Sequence, residues 1–321
     1  MAPATPAASA APWAISRRSL LGLGTATLAL PGCALQPRSK NALESAPPVT
    51  LPDSRQIDMV AGGHVHRIMI AVPPAPPPAH GYPVLYVLDG NLLFALTAQL
   101  MRNRFARGPG VPTQGAVIVG LGYAGAQVLD LDARSYDYTP PAPGPVHDER
   151  GRREGGADAF LDFVDATVRP LVADTAPIDD ARQTLFGHSY GGLCALHALF
   201  TRPGGFRNYV AASPSLWWRD GFILQEQQRF LAGRRVDAPP LNLLVSQGEL
   251  EARPPADPAR AISTRGQRNV ELLSALADGL RRAPNLELRL ATFPGADHGS
   301  AMVPAAQQAL ALAIETTATL K

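Results

Sequence analysis

The stretches Tyr82–Leu88 (YPVLYVL) and Gly115–Gly122 (GAVIVGLG) are nearly unbroken apolar runs. Runs of this kind, without polar alternation, predict strands buried on both faces, as in a parallel sheet covered by helices. Similar short runs recur at QTLFG, NYVAAS, LNLLVSQG and LELRLATF. Helix-like patterning fills the intervals around Leu92–Arg102, Asp158–Val172, Leu193–Phe200, Gly221–Ala232, Asn269–Arg282 and Pro304–Leu320. The alternation predicts an α/β fold, with a mostly parallel central sheet and helices on both faces. Ahead of it, RQIDMV and HVHRIMIAV flank Ala61-Gly62-Gly63 and predict an N-terminal β-hairpin. The chain has no internal repeat. One stretch departs from the alternation: Tyr123 to Gly156 is rich in Pro, Gly and charge, and too long for a plain connector. Loops of that length are usually functional or disordered.

The first 52 residues follow another pattern. Arg17 and Arg18 precede an apolar run from Leu20 to Leu30 that is too short to cross a bilayer, which takes about 20 apolar residues. The paired arginines, with Ser16 before them and Leu20 and Leu21 after, resemble a twin-arginine export signal. LPGC, ending at Cys33, resembles a lipoprotein processing site, so the chain is either cleaved nearby or lipid-anchored at Cys33. Residues 1–32 are therefore expected to be an export signal, 33–52 a tether or linker, and 53–321 a single α/β domain in the periplasm.

Composition narrows the function only by exclusion. Of 321 residues, 46% are hydrophobic and 17% charged, which suits a globular domain. The formal charge is +2; loss of residues 1–32 removes two arginines and no acid, leaving 27 basic and 27 acidic residues. A near-neutral chain has no basic field for nucleic acid. Of the two cysteines, Cys33 lies in the processing region and Cys194 on an apolar run, so neither a disulfide framework nor a cysteine metal site is expected.

Candidate chemistry enters at Gly187-His188-Ser189-Tyr190-Gly191, which has the G-x-S-x-G spacing of a nucleophile elbow. A strand-like run precedes it and a helix-like run follows. The glycines make room for a strained turn that lifts the Ser189 hydroxyl above the sheet edge. The turn also aims the helix N-terminus at developing negative charge. A serine of this kind needs a base, in the chain order Ser, then acid, then His. His298, on the glycine-bracketed loop FPGADHGS after the last strand-like run, is the candidate. His188 lies inside the elbow, His197 on the following helix, His64 and His66 on the early hairpin, and His80 and His147 in polar loops. The acid is Glu251 or, alternatively, Glu249, both in the loop that ends LLVSQGELE. It would hold the His298 tautomer and favour the imidazolium. The oxyanion hole needs two main-chain N–H groups: that of Tyr190, and one from the loop after an earlier strand, Asn91 or the neighbouring Gly90.

YPVLYVLDGN, RSYDYTPP, GGADAFLDF, LFGHSYGGLCALHALF, SPSLWW, GELE and GADHGS together resemble the esterase-D-like α/β-hydrolases, and more narrowly their siderophore branch, the catecholate trilactone esterases. The resemblance runs from about Gln56 to the C-terminus. It implies an α/β-hydrolase fold in which Ser189 and His298 carry the reaction, as a triad with the acid or as a dyad. It implies that Arg134 faces the substrate, where a guanidinium fork suits the paired oxygens of an anionic catecholate. Trp217 and Trp218 either stack on substrate rings or pack beside the elbow. The implied activity is hydrolysis of the ester or lactone bonds of a siderophore such as enterobactin, aiding iron release or uptake. No metal or organic cofactor is required; the partner is a small-molecule ester, and any iron arrives with it. Two rivals share the scaffold: a general carboxylesterase or acyltransferase, and a siderophore-binding lipoprotein without catalysis.

Overall fold

Period-two patterning sorts the side chains of each strand to two sheet faces, and two separate cores result. On β3 (Tyr82–Leu88), Val84, Tyr86 and Leu88 face one core while Leu85 and Val87 face the other. Each fully buried apolar side chain of this size contributes about 1.5–3 kcal/mol. This is a computed structural model that describes residues 44–107, 114–252 and 262–315; the expected export signal, Cys33 and the last residues of Pro304–Leu320 lie outside them.

The unit Thr50–Lys321 holds an eight-stranded sheet. Its other strands are β1 (Ser54–Ala61), β2 (His64–Ala71), β4 (Val117–Tyr123), β5 (Ile178–His188), β6 (Asn208–Ala212), β7 (Leu241–Gly248) and β8 (Leu286–Phe293). The strand order is β1-β2-β4-β3-β5-β6-β7-β8. β1 and β2 form the expected antiparallel hairpin, β2 pairs antiparallel with β4, and the remaining pairs are parallel. α1 (Gly90–Asn103) and α8 (Met302–Ile314) pack their leucines and alanines on one face. α5 (Tyr190–Thr201), α6 (Ile223–Gly233) and α7 (Ile262–Leu280) cover the other. The architecture is the mostly parallel α/β sheet expected from the alternation.

Two features depart from the sequence expectation. The helix expected over Asp158–Val172 is α3 (Ala157–Phe163) and α4 (Arg169–Thr175) joined through a wider π-type turn at Val164–Val168, where the Arg169 N–H reaches back to the Val164 carbonyl. Pro170 has no N–H for the carbonyl four residues earlier, and its ring crowds that turn open. The stretch Tyr123–Gly156 is not all loop. It contains α2 (Leu131–Asp137), started by Asp130, whose carboxylate accepts the Asp132 and Ala133 N–H groups. Seven residues are too few for a helical period to stand out.

The parallel strands β3, β5, β6, β7 and β8 end in step along one edge. His188 is level with Ala212, Ala212 with Ser246, and Gly248 with Phe293. The loops leaving that edge begin at Asp89, Ser189, Ser213, Glu249 and Pro294, and they carry the candidate site.

Candidate active site

One residue, Ser189, separates β5 from α5, and it takes the turn at φ 61° and ψ −118°. A β-carbon on Gly187 would be driven into the Gly191 carbonyl, so only glycine lets the chain fold back this tightly. A non-glycine residue in such a conformation costs about 1–3 kcal/mol and persists only when its surroundings hold it. Here the Ser189 N–H donates to the Ala212 carbonyl at 3.0 Å, while the Ser189 carbonyl accepts from Leu193 at 3.0 Å and Ser215 at 3.1 Å. The hydroxyl meets Ser215 Oγ at 3.3 Å.

His298 follows β8 and comes to the same rim, its ring 4.5 Å from that of His188, the residue before the serine. Its Nδ1–H donates to Glu251 Oε2 at 2.8 Å, which leaves Nε2 as the acceptor for a proton. Glu251 is nearly buried, at 11% side-chain exposure against 51% for His298. Its Oε1 accepts both the Ser213 hydroxyl and the Gly248 N–H at 2.6 Å. Burial pushes this carboxyl up, but the bonds from His298, Ser213 and Gly248 outweigh it and hold the group below its ordinary value. Of the two candidate acids, Glu251 is therefore the one joined to the imidazole. Glu249 Oε2 instead accepts the Gly295 N–H at 2.8 Å and braces the loop that leads to His298.

His188 has a part that the sequence did not suggest. Its Nε2 lies 2.8 Å from the His298 carbonyl; because a carbonyl only accepts, Nε2 carries the proton. Burial, then the neighbouring His298, pushes the His188 ring down to about 3, so it stays neutral and ties the His298 main chain to the elbow. Ser213 and Ser215 were missed as well. The loop between them grips Glu251 at one end and Ser189 at the other, and the SPS triplet after the strand beside β5 was the available signal.

For the oxyanion hole, the Tyr190 N–H opens α5 and those of Gly90 and Asn91 open α1; the first turn of a helix offers such groups no acceptor. The Asn91 side chain turns away, with Nδ2 donating to the Tyr123 and Ala126 carbonyls at 3.1 and 2.7 Å and Oδ1 accepting the Tyr123 N–H at 2.7 Å. The Asp89 N–H is taken by the Tyr138 hydroxyl at 3.0 Å.

Arg134, expected to face the substrate, stands on α2, where it is 8% exposed and bidentate to Asp89 through Nε and Nη2 at 2.8 and 2.9 Å. A buried carboxylate beside it claims the planar fork more strongly than solvent would. The two tryptophans part company. Trp218 is buried, and its indole N–H donates to Glu154 at 2.8 Å. Trp217 is half-buried, 6.0 Å from the Tyr190 ring, with the Arg265 guanidinium 4.3 Å from its ring centre. A cleft of roughly 330 Å³ beside Tyr190 is lined by Trp217, Trp218, Arg265, His147 and Arg150. A larger cavity, roughly 890 Å³ between α5 and α6, is not lined by Ser189, His298 or Glu251. His197 borders it, buried between Glu226 and Asp158 at 2.8 and 3.3 Å. His64 and His66 lie on β2, His66 stacked 4.7 Å from Phe163, and Cys194 is buried with its thiol pushed up by burial. Among the described residues, no three His, Cys, Asp or Glu are placed to hold a metal ion.

The family model described as "Putative esterase" matches residues 62–277. A ferri-bacillibactin esterase of Bacillus subtilis (strain 168) is 39% identical over 58% of this chain and 66% of its own length. A siderophore enterobactin esterase of Emericella nidulans is 43% identical over 46% of this chain and 51% of its own. The chain thus spans about half to two thirds of these curated relatives. The solved siderophore hydrolase EstB from Aspergillus nidulans superposes with a TM-score of 0.75 at 30% identity, covering 86% of this chain and 100% of that one.

Proposed function

The chain belongs to the esterase family of that model, and on this premise we propose that it is a serine esterase that hydrolyses the ester or lactone bonds of a catecholate siderophore such as enterobactin. One observation carries the reading. The imidazole of His298 is fixed by Glu251 at 2.8 Å, with Nε2 left open, at the rim of the elbow that lifts Ser189. The names of the relatives support the substrate class. So does the cleft beside Tyr190, where Trp217 offers an aromatic face and Arg265 and Arg150 offer cations to an anionic aromatic ligand.

The chemistry follows from these positions. The Ser189 hydroxyl leaves Ser215 and gives its proton to His298 Nε2 as Oγ bonds to the ester carbonyl carbon. The carbonyl electron pair moves to oxygen, and the N–H groups of Tyr190 and the start of α1 hold that charge. Glu251 stabilises the imidazolium while the intermediate stands. On collapse the ester C–O bond breaks, and the leaving alkoxide takes the proton from His298. Water then repeats the sequence on the acyl-enzyme, with His298 accepting its proton and returning it to Ser189.

The test is mass spectrometry of products after incubation with apo and with ferric enterobactin, with Ser189→Ala as control. Linearised and shortened products from the wild type alone are expected. Intact siderophore together with hydrolysis of simple esters would leave an esterase of other specificity. We also propose export to the periplasm and a lipid anchor at Cys33, supported by the Arg17–Arg18 signal pattern and LPGC. Export lost in Arg17→Lys/Arg18→Lys, and radiolabelled palmitate incorporation lost in Cys33→Ser, are the expected results.

A further inference from the structure

We propose that Asn269, on α7, is a positioning residue that holds the strap of residues 213–217 in the one shape that serves the acid, the nucleophile and the cleft wall together. The proposal rests on the esterase reading above. Asn269 acts on the main chain of that strap, and its partners there are 55 and 52 residues away in the sequence.

The strap follows β6 and begins in strain. Ser213 is fully buried and sits at φ 42°, a conformation that a non-glycine residue keeps only where its surroundings fix it. Its N–H donates to the Ser246 carbonyl and its hydroxyl to Glu251 Oε1, both at 2.6 Å. Two residues on, the Ser215 N–H donates to the Ser189 carbonyl at 3.1 Å, and the Ser215 hydroxyl meets Ser189 Oγ at 3.3 Å. Trp217 then forms a wall of the cleft beside Tyr190. This short strap thus touches the acid, the nucleophile and the substrate cleft in turn, so a shift of its main chain moves all three.

Asn269 grips the strap from behind at two points. Its Nδ2 donates to the Pro214 carbonyl at 2.8 Å, and its Oδ1 accepts the Trp217 N–H at 3.2 Å. The first bond falls between the two serines and the second at the cleft wall. A carboxamide suits this because it sets a donor and an acceptor side by side on one carbon. Aspartate would keep the acceptor alone, and leucine, of similar volume, would keep neither. The helix that carries Asn269 is itself seated on the turn of the acid. Gly266, three residues earlier and so on the same face of α7, lies where a β-carbon would be driven into the Glu251 carbonyl. Arg265, one residue before it, sets its guanidinium 4.3 Å from the centre of the Trp217 ring. α7 therefore references the strap to the main chain of Glu251, and the Asn269 amide makes the connection.

The experiment compares Asn269→Leu, Asn269→Asp, Ser213→Ala and the pair Ser213→Ala/Asn269→Leu on two esters, a small acetate ester and one carrying a catechol ring. Rates are divided by the amount of Ser189 that a fluorophosphonate labels to completion, so that misfolded protein does not count. Asn269→Leu is expected to lower kcat roughly 10- to 100-fold on both esters, the scale of a small misplacement of reacting groups. It is also expected to raise KM roughly fivefold for the catechol ester alone, since the Trp217 N–H has lost its acceptor. Asn269→Asp keeps that acceptor and loses the bond to Pro214, so kcat should fall while KM for the catechol ester stays within about twofold. The pair is expected to lose less than the product of its two single losses, because both act through one strap. Unchanged kcat per labelled site in the Asn269 variants, with only the thermal midpoint lowered, would overturn the proposal and leave Asn269 a brace of the fold. Losses that multiply in full in the pair would overturn it too. If Asn269→Leu does not fold, Asn269→Asp decides alone, and unchanged kcat per site there overturns the proposal. A wild type that cleaves neither ester and takes no label at Ser189 would defeat the esterase reading itself, and the proposal with it.

Discussion

Two groups of residues meet at the carboxyl edge of the sheet, and they are held by different means. Ser189, Glu251 and His298 stand just beyond the ends of β5, β7 and β8, within a few residues of a strand whose register fixes them. Arg134, Asp137 and Tyr138 stand on or beside a seven-residue helix in the long segment between β4 and β5, and they reach their places through side-chain pairs. Arg134 finds its partner 45 residues away and Tyr138 its partner 49 away. The first group is set by backbone: a strained turn, a glycine that cannot be anything else, parallel strands ending in step. The second is set by charge and ring contact in a buried place. Chemistry at this edge depends on both, but a substitution should damage them in different ways. Under the proposed mechanism, loss from the first group removes a reacting or proton-carrying atom; loss from the second breaks buried side-chain pairs behind the site.

Variants in the first group should show the largest effects. Ser189→Ala and His298→Ala are each expected to lower kcat by about 10⁴- to 10⁶-fold without loss of fold, measured on a simple ester beside circular dichroism. Glu251→Gln comes next, at about 10²- to 10⁴-fold, while Glu249→Gln is expected to stay within about threefold, since it braces a loop and does not touch the imidazole. The contrast would be erased if the two variants lost activity equally. Trp217→Ala is expected to raise KM for enterobactin about tenfold and leave a small ester unaffected, as steady-state kinetics on both would record.

The smallest effect separates the two groups by the sign of their pH dependence. His188, beside His298, is pushed from 6.5 down to about 3. Folded, it binds fewer protons than unfolded across that window, so its contribution is complete above 6.5 and fades on acidification. His66, pushed down to about 4, acts in the same sense. Asp137, beside α2's arginine, is pushed from 3.8 up to about 7 by burial. Its contribution is complete below 3.8 and fades as pH rises to about 7. The Tm of His188→Gln relative to wild type should therefore climb as pH falls from 7 to 4, and that of Asp137→Asn should climb as pH rises over the same range. Shifts of a few degrees are expected. Parallel slopes would contradict the assignment.

The same difference explains what could be read from the sequence. β3 runs Tyr82–Leu88, as its apolar run predicts, because a strand buried on both faces has no polar position to blur its ends. The elbow was legible because local sterics require glycine at 187 and a nucleophile is sought two residues on, at Ser189. The sequence favoured Glu251 over Glu249 only by its offset from Gly248. Both lie in a single helical turn after Gly248, and only the folded turn shows that Glu251 points back to the Gly248 N–H and across to His298. Arg134 was placed toward the substrate by the family resemblance, and nothing in one dimension pairs it with Asp89, 45 residues away. Buried pairs between distant residues leave no periodic trace, and α2 was too short to leave one of its own.

The central claim is that Ser189 is activated by His298 under the hold of Glu251. The rate at which a fluorophosphonate labels Ser189, followed by intact mass in wild type, Glu249→Gln and Glu251→Gln, tests it most directly. We expect fast labelling confined to Ser189 in the wild type, the same rate in Glu249→Gln, and a rate lower by about 10²-fold or more in Glu251→Gln. Labelling at another serine, or slow labelling in Glu249→Gln with an unchanged rate in Glu251→Gln, would contradict it.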